Sequence, residues 1–250
     1  MLVRPYRVCD IRDYFIGAKQ SGGYGETTDK TGVKCLELIG ASFLADEPAI
    51  FGEPNEEYID KEIGWYESMS LNIHDIYGHK RPPPAAWQYA ADPYGNINSN
   101  YGYLIYSDKF HGQYFKVAEE LKMNPDGRRA IMIYNRPEIW SEYVDGGKSD
   151  FICTNAVAYY IRNDKLDCCV QMRSNDVVYG YKNDYAWQKF ILDQLADDIG
   201  ITSGKMIWQV QNLHVYEKHF DLIKPAPLPE PKSQLSTAAS YEGYDNRNYG

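Results

Sequence analysis

The chain has 250 residues, with 26 Lys and Arg against 35 Asp and Glu and a formal net charge of −9. This acidic balance argues against a protein that wraps nucleic acid, because affinity for the phosphate backbone comes mainly from clustered Lys and Arg. The length favours one large domain. Five cysteines without paired CxxC motifs favour reduced thiols and no structural metal. Because the sequence lacks a secretory or membrane-spanning apolar run, we expect a cytoplasmic protein.

The first half of the chain contains three kinds of pattern. Residues 32–43 alternate partly between apolar and polar side chains, which predicts a β-strand with a glycine bulge near Gly40. Residues 57–68 have apolar side chains near helical spacing, so Glu62 is predicted to lie on a helix. Residues 81–103 are rich in Pro, Gly, Asn and Tyr, which predicts an ordered loop.

The second half alternates predicted helices and strands. Helices are predicted over residues 110–122 and 185–199, the second with one apolar side and Gly200 as its end. Strands are predicted over residues 130–134, 154–162, 167–172 and 207–216. Beyond Lys224 the composition changes to Pro, Ser, Glu and Asn, which predicts a flexible or lightly docked tail.

Cys153 and the run Arg173 to Asp176 lie at opposite ends of a predicted hairpin and are therefore candidates for spatial neighbours. An arginine beside a thiol stabilises the nucleophilic thiolate. The alternative is that Cys153 is only a small buried hydrophobic side chain, and the other four cysteines are interpreted in that way.

Several further polar residues allow two interpretations from the pattern alone. Asp184 stands at the entry of the predicted helix, where it either caps backbone N–H groups or contacts a ligand. His214 and Tyr216 are two apart on a predicted strand and point to the same face, which suits a structural pair or a binding pair. Arg128 and Arg129 fit a solvated turn as well as a phosphate site.

The order and spacing of these features resemble the thymidylate synthase superfamily over roughly residues 28 to 223, and within it the phage enzymes that modify deoxycytidylate. The matching motifs are DKTG at 29–32, EIGWY at 62–66, NSNYG at 98–102, NPDGRR at 124–129, CTN at 153–155, MRSNDVVYGYKNDYAWQKF at 172–190 and LHVY at 213–216. The resemblance implies an α/β (α+β) fold of the thymidylate synthase type, with a large mixed β-sheet packed with helices. It also implies a homodimer formed through a sheet face, a catalytic domain over 1–223 and a Pro/Ser/Asn-rich tail over 224–250.

The resemblance assigns substrate contacts residue by residue. It makes Cys153 the thiolate that adds to C6 of the pyrimidine. The residues it implies for nucleotide binding are Lys30, Arg128, Arg129, Arg173, Ser174, Asn175, His214 and Tyr216. Among them, Arg128 and Arg129 would reach the phosphate from the other subunit, as a symmetric dimer permits. Lys30 stands where thymidylate synthases usually carry Arg, which keeps the charge but loses bidentate geometry.

Asp184 is a difference from the thymidylate synthase pattern that concerns which base the site binds. Uracil-specific members of the family carry Asn at this position, whereas a carboxyl group accepts from the N4 amino group of cytosine and shares a proton with N3. The resemblance therefore implies dCMP as the substrate. It also implies that Tyr101 relays the C5 proton through water and that Glu62 orders an attacking water with Asp184.

The implied co-substrate is 5,10-methylenetetrahydrofolate. Trp87 and Asp176 would line the folate side, and Gly180 would allow close approach of the pterin. The resemblance thus implies a phage deoxycytidylate-modifying enzyme that acts on free nucleotides in the host cytoplasm and forms 5-hydroxymethyl-dCMP, without metal, membrane or direct nucleic-acid contact. The alternatives are a dCMP 5-methyltransferase, a dUMP-directed relative, a non-catalytic nucleotide-binding module, and a cysteine hydrolase built on Cys153 and His214.

Overall fold

The computed structural model describes residues 6–21, 26–28 and 32–224, which fold around a six-stranded sheet. The strands are β1 (Glu26–Thr28), β2 (Lys34–Leu44), β3 (Ile131–Ile133), β4 (Thr154–Arg162), β5 (Lys165–Asp176) and β6 (Thr202–Tyr216). The α-helices are α1 (Val8–Ser21), α2 (Glu56–Glu67), α3 (Ala85–Ala90), α4 (Tyr101–Tyr106), α5 (Gln113–Met123), α6 (Ile139–Glu142) and α7 (Gly180–Ile199). This arrangement confirms the predicted mixed sheet packed with helices.

The sheet order is β1-β2-β6-β5-β4-β3, with antiparallel neighbours except for the parallel pair β5 and β6. A parallel pair needs a crossover connection, and α7 supplies it. The same pairing puts Asp176 at the end of β5 in register with His214 near the end of β6. Two motifs that are far apart in sequence therefore lie side by side at the C-terminal ends of these two strands.

Helix α7 is fixed to the sheet by its apolar face. Trp187, Ile191 and Leu195 follow helical spacing and are fully buried. They face the core side of the sheet, where Val170 and Trp208 are register partners and equally buried. Burying one such side chain contributes roughly 1.5–3 kcal/mol, so α7 is a rigid support for the polar residues on its first turns.

Most predicted elements are confirmed, and strand 154–162 has the predicted bounds. The bulge predicted near Gly40 is wrong. The pairing of β2 with β6 keeps one register from Ile39 with Asn212 to Ala41 with Val210. Gly40 instead has φ of 74°, a left-handed backbone conformation that glycine adopts readily, and the strand contains no inserted residue there.

One other prediction needs correction. The region 81–103 is partly helical, because it contains α3 and the start of α4. Pro84 occupies the N-cap of α3, and the Asn100 side chain accepts the Tyr103 N–H to cap α4, so these residues begin helices rather than prevent them. Helix α1 was not predicted from the sequence. Lys30 and the tail beyond Lys224 lie outside the described residues.

Candidate active site

Cys153 and Arg173 are neighbours across the β4–β5 hairpin, as predicted. The Arg173 N–H donates to the Cys153 carbonyl at 2.9 Å, and one guanidinium nitrogen lies 3.6 Å from Sγ. The guanidinium also donates to the carbonyls of Phe151 and Ile152, at 2.6 and 3.0 Å. Burial raises the pKa of the Cys153 thiol to about 11, although the charge of Arg173 acts in the opposite direction. The Cys153 thiol is therefore mainly protonated at neutral pH.

Asp184 lies inside α7 rather than at its entry. Asp176 Oδ1 accepts backbone N–H groups of Val178, Tyr179 and Gly180, so the helix begins before the predicted position and Asp184 is not its cap. Burial, together with the charge of Glu62, raises the pKa of Asp184 to about 8. The capping alternative is thereby removed, and a proton-carrying carboxyl group remains.

Glu62 on α2 is 5% exposed and faces the same cluster. Its Oε1 accepts the Tyr58 hydroxyl at 2.5 Å and the Trp87 indole N–H at 3.0 Å. Burial raises the pKa of Glu62 to about 7 against the effect of these two donors. Two carboxyl groups with raised pKa values, Glu62 and Asp184, therefore lie close enough to influence each other electrostatically.

Tyr101 is held next to Asp184 by tight packing. Tyr101 lowers the pKa of Asp184 against the effect of burial, and its ring stacks on Tyr66 with 5.2 Å between centroids. Burial, with the charges of Asp184 and Cys153, keeps the pKa of Tyr101 well above its usual value. Gly102 allows the approach, since a Cβ there would lie 1.9 Å from the Tyr66 carbonyl oxygen. The structure thus brings together Cys153, Arg173, Asp184, Glu62 and Tyr101.

Residues 24–244 match the family model described as thymidylate synthase. The chain belongs to the thymidylate synthase family. Similar curated proteins are the deoxycytidylate 5-hydroxymethyltransferases of Enterobacteria phages T4, T2 and T6. Each is 52% identical over 202 residues, which cover 78% of this chain and 81% of the relative.

Within this member of the thymidylate synthase family, His214 and Tyr216 share one face of β6, as predicted. Their rings lie edge to face with 5.1 Å between centroids. Asn212 precedes them on the same face and donates to Glu37 Oε1 at 2.7 Å. The row of side chains lies beside Asp176, which pairs with His214 in the sheet.

Asp176 and Gly180 form a cradle at the start of α7. Asp176 Oδ1 caps the helix, whereas Oδ2 is buried and has no hydrogen-bond partner among the described residues. A Cβ at Gly180 would lie 3.1 Å from Asn175 Nδ2 and 3.4 Å from Asp176 Cβ, so glycine keeps this space open. A buried acceptor beside a space that a side chain would narrow fits a ligand with N–H donors, such as the pterin of the folate used by this family.

Some predicted site residues are not brought to the cluster. Arg128 and Arg129 are exposed, and Arg129 pairs with Glu120 at 3.0 Å. The next residue, Ala130, accepts the Tyr159 N–H, six positions along β4 from Cys153. At roughly 3.3 Å per residue, this separates the two arginines from the thiol of the same chain by about 20 Å.

Three residues that complete the site were missed from the sequence. Tyr58 contacts Glu62, and its i,i+4 spacing on a predicted helix was the signal that would have found it. Asp150 accepts the backbone N–H groups of Asn98 and Ser99 and fixes the segment before Tyr101. No spacing rule signals Asp150, because the contact spans about fifty residues. Asn212 is the third, and its position two residues before His214 on the same strand face is the signal that would have found it.

The described residues contain no group of three or more His, Cys, Asp or Glu side chains that is arranged to hold a metal ion. Across residues 6–21, 26–28 and 32–224, no helix is both long and apolar enough to cross a bilayer.

Proposed function

We propose that this chain transfers a one-carbon unit from 5,10-methylenetetrahydrofolate to C5 of dCMP and adds water, giving 5-hydroxymethyl-dCMP. The names of relatives that are 52% identical over 202 residues support this activity. The observation that carries the choice of base is Asp184, a proton-carrying carboxyl group where uracil-specific members of the family have an amide.

Base recognition follows from the protonated form of Asp184. A neutral carboxyl group donates its O–H to the cytosine N3 acceptor and accepts from the N4 amino group. Cytosine N3 is basic and shares this proton, whereas uracil N3 already carries hydrogen. When charge develops on the ring during attack at C6, Asp184 supplies the proton at N3, and Asn175 and Tyr101 stabilise the carboxylate that is left.

Cys153 forms the covalent bond to C6 in this proposal. Arg173 favours the thiolate, and the nucleotide phosphate binds to Arg173 and Ser174. His214 and Tyr216 bind the sugar 3′-hydroxyl, which favours a deoxyribonucleotide. Lys30 adds positive charge at the phosphate.

The folate supplies the one-carbon unit at the oxidation level of formaldehyde. Asp176 Oδ2 accepts N–H groups of the pterin, and Gly180 leaves room for its ring. Trp87 shapes this side of the site, although its indole N–H is already donated to Glu62 and Tyr58. Tyr101 relays the C5 proton, and Glu62 together with Asp184 orders the water that completes the product.

The proposal includes a homodimer with shared sites. In this proposal Arg128 and Arg129 serve the phosphate of the partner's site, and their distance of about 20 Å from Cys153 of the same chain supports this. The sheet face that carries Ile131 and Ile133, 40% and 55% exposed, supports this. Both side chains point away from the core, opposite the fully buried Met132, and form apolar surface suited to a second copy.

The proposal also covers the cellular compartment and the domain bounds. A free-nucleotide enzyme with phage relatives acts in the host cytoplasm, on dCMP and folate rather than on DNA or membranes. We assign residues 1–223 to the catalytic domain and residues 224–250 to the Pro/Ser/Asn-rich tail, the first part of which still falls within the family match over residues 24–244.

Mass spectrometry of the nucleotide product tests the function directly. Incubation with dCMP and methylenetetrahydrofolate should give 5-hydroxymethyl-dCMP, and a parallel incubation with dUMP should give little product. Methylated dCMP would keep the base assignment and overturn the water step. Conversion of dUMP alone would overturn the assignment of Asp184, and no conversion of either would favour a non-catalytic binding module.

A further inference from the structure

Glu62 Oε1 is held by two donors that come from different elements. The Tyr58 hydroxyl, one turn earlier on α2, lies 2.5 Å away, and the Trp87 indole nitrogen on α3 lies 3.0 Å away. The same indole nitrogen is 3.0 Å from the Tyr58 oxygen. Among the described residues, none donates a hydrogen bond to Glu62 Oε2. The two oxygens of this carboxyl group therefore have different surroundings.

The donor pattern fixes where a proton can reside. The Tyr58 oxygen accepts from the Trp87 N–H, which has no lone pair to offer in return, so the Tyr58 hydrogen is directed to Glu62. An oxygen that already accepts two hydrogen bonds is a poor place for a third hydrogen. A proton that Glu62 gains or loses is therefore carried on Oε2.

We propose that Tyr58 is a positioning residue for the water-addition step, holding Glu62 so that Oε2 takes the proton of the attacking water. This inference rests on the proposed function, because it assumes that Glu62 activates that water. Tyr58 touches Glu62 and need not touch dCMP or folate.

The step balances without an oxidant or reductant. The water oxygen forms a C–O bond to the exocyclic methylene carbon, and one water proton passes to the ionised Glu62 Oε2. The electron pair of the exocyclic double bond moves to the ring. The C6–S bond then breaks, its electron pair returns to Cys153 Sγ, and the C5–C6 double bond is restored.

The local electrostatics agree with this role. Burial raises the pKa of Glu62, and the hydrogen bonds from Tyr58 and Trp87 lower it again, to about 7. The ionisable groups coupled to Glu62 are Asp184 from α7 and Tyr66 from α2. Removing the Tyr58 hydroxyl takes away a donor to the charged form, so the ionised base becomes scarcer at neutral pH.

Tyr58→Phe tests the inference, because it keeps the ring that packs against Tyr77 and removes only the hydroxyl. Two single-turnover rates are measured across the neutral range: formation of 5-hydroxymethyl-dCMP and release of tritium from C5 of dCMP, which precedes water addition. The acid limb of the pH–rate profile for product formation should shift to higher pH by about one unit, which is the size expected for the loss of one hydrogen bond to a charged group. Tritium release and the KM for dCMP should not change.

Tyr77→Phe is the matched control, since its hydroxyl does not contact Glu62. Trp87→Phe removes the second donor and should shift the same limb in the same direction, which keeps the test available if one variant folds poorly. A loss in Tyr58→Phe that is equal at every pH and for both rates, or an unmoved acid limb, would overturn the inference.

Glu62→Gln separates this inference from the proposed function. If Glu62→Gln abolishes the acid limb and Tyr58→Phe leaves it in place, only the role of Tyr58 is wrong. If Glu62→Gln keeps both the limb and the rate of product formation, the role of Glu62 in the proposed function is wrong and the Tyr58 inference fails with it.

Discussion

The Asn175 side-chain amide donates to Asp184 Oδ2 at 2.7 Å, and this contact fixes which way the carboxyl group faces. Asn175 is itself oriented, because its Oδ1 accepts the Trp208 indole N–H at 3.2 Å. An indole nitrogen only donates, so the amide of Asn175 has one consistent orientation. Asn175, near the end of β5, thus determines which way the Asp184 carboxyl group on α7 faces.

Asp184→Asn should reduce the preference for dCMP over dUMP by about 10- to 100-fold, since an amide cannot share a proton with cytosine N3. The ratio of kcat/KM values for the two nucleotides is the measurement. Asp193→Asn is the control, because Asp193 lies on the same helix but pairs with Lys189 at the surface. An unchanged ratio in Asp184→Asn would refute the assignment of the base.

The same variant should change how stability depends on pH. The pKa of Asp184 is raised from 3.8 to about 8 in the folded protein, so between these values the folded state binds more protons than the unfolded state. The free energy of unfolding therefore falls as pH rises through this window. Asn does not ionise, so the free energy of unfolding of Asp184→Asn, relative to that of the wild type, should increase by on the order of 2 kcal/mol between about pH 5 and about pH 8. This is less than the full pKa shift would give, because the Asp184 side chain is partly exposed.

Urea midpoints of both proteins at the two pH values measure this gain. A constant difference between the variant and the wild type would mean that Asp184 is ionised in the folded protein at neutral pH.

The residues of these two predictions illustrate what the sequence could and could not reveal. Hydrophobic periodicity located α7 and β4, and motif order located Asp184 and Cys153. The cap of α7 was misplaced, because the bonds from Asp176 Oδ1 to three backbone N–H groups depend on the turn after β5 and not on a periodic pattern. Short helices such as α3 were missed since six residues hold less than two turns of periodicity.

The thiol of Cys153 should react slowly with iodoacetamide at neutral pH. Its pKa is raised to about 11 by burial, so the thiolate fraction increases as pH rises towards that value. Arg173→Gln removes the charge that lowers this pKa and should slow alkylation further, by about tenfold. Peptide mass spectrometry of the Cys153 site gives the rate, with Cys9 as an internal comparison. Fast alkylation that does not depend on pH would contradict this description.

Gly102→Ala should destabilise the protein by several kcal/mol, about 3 or more. The added Cβ would lie 1.9 Å from the Tyr66 carbonyl oxygen, a backbone atom that cannot move without disturbing α2. Gly64→Ala is a matched control in another helix, where nothing lies within 4 Å of the new Cβ, and it should stabilise by up to about 1 kcal/mol. Chemical denaturation compares the two, and equal effects would mean that α2 and α4 are not packed this closely.

A mixing experiment tests the shared site. Cys153→Ala and Arg128→Ala should each be nearly inactive, because under the proposed function one lacks the nucleophile and the other lacks a phosphate ligand. In a mixed dimer, both defects fall in the same site and the other site is intact, so up to about a quarter of wild-type activity should return after subunit exchange at equal concentrations. Lys116→Ala replaces Arg128→Ala in the control mixture and should by itself be fully active. If exchange is verified by mass and no activity returns, Arg128 acts within its own chain and the dimer is not needed to complete the site.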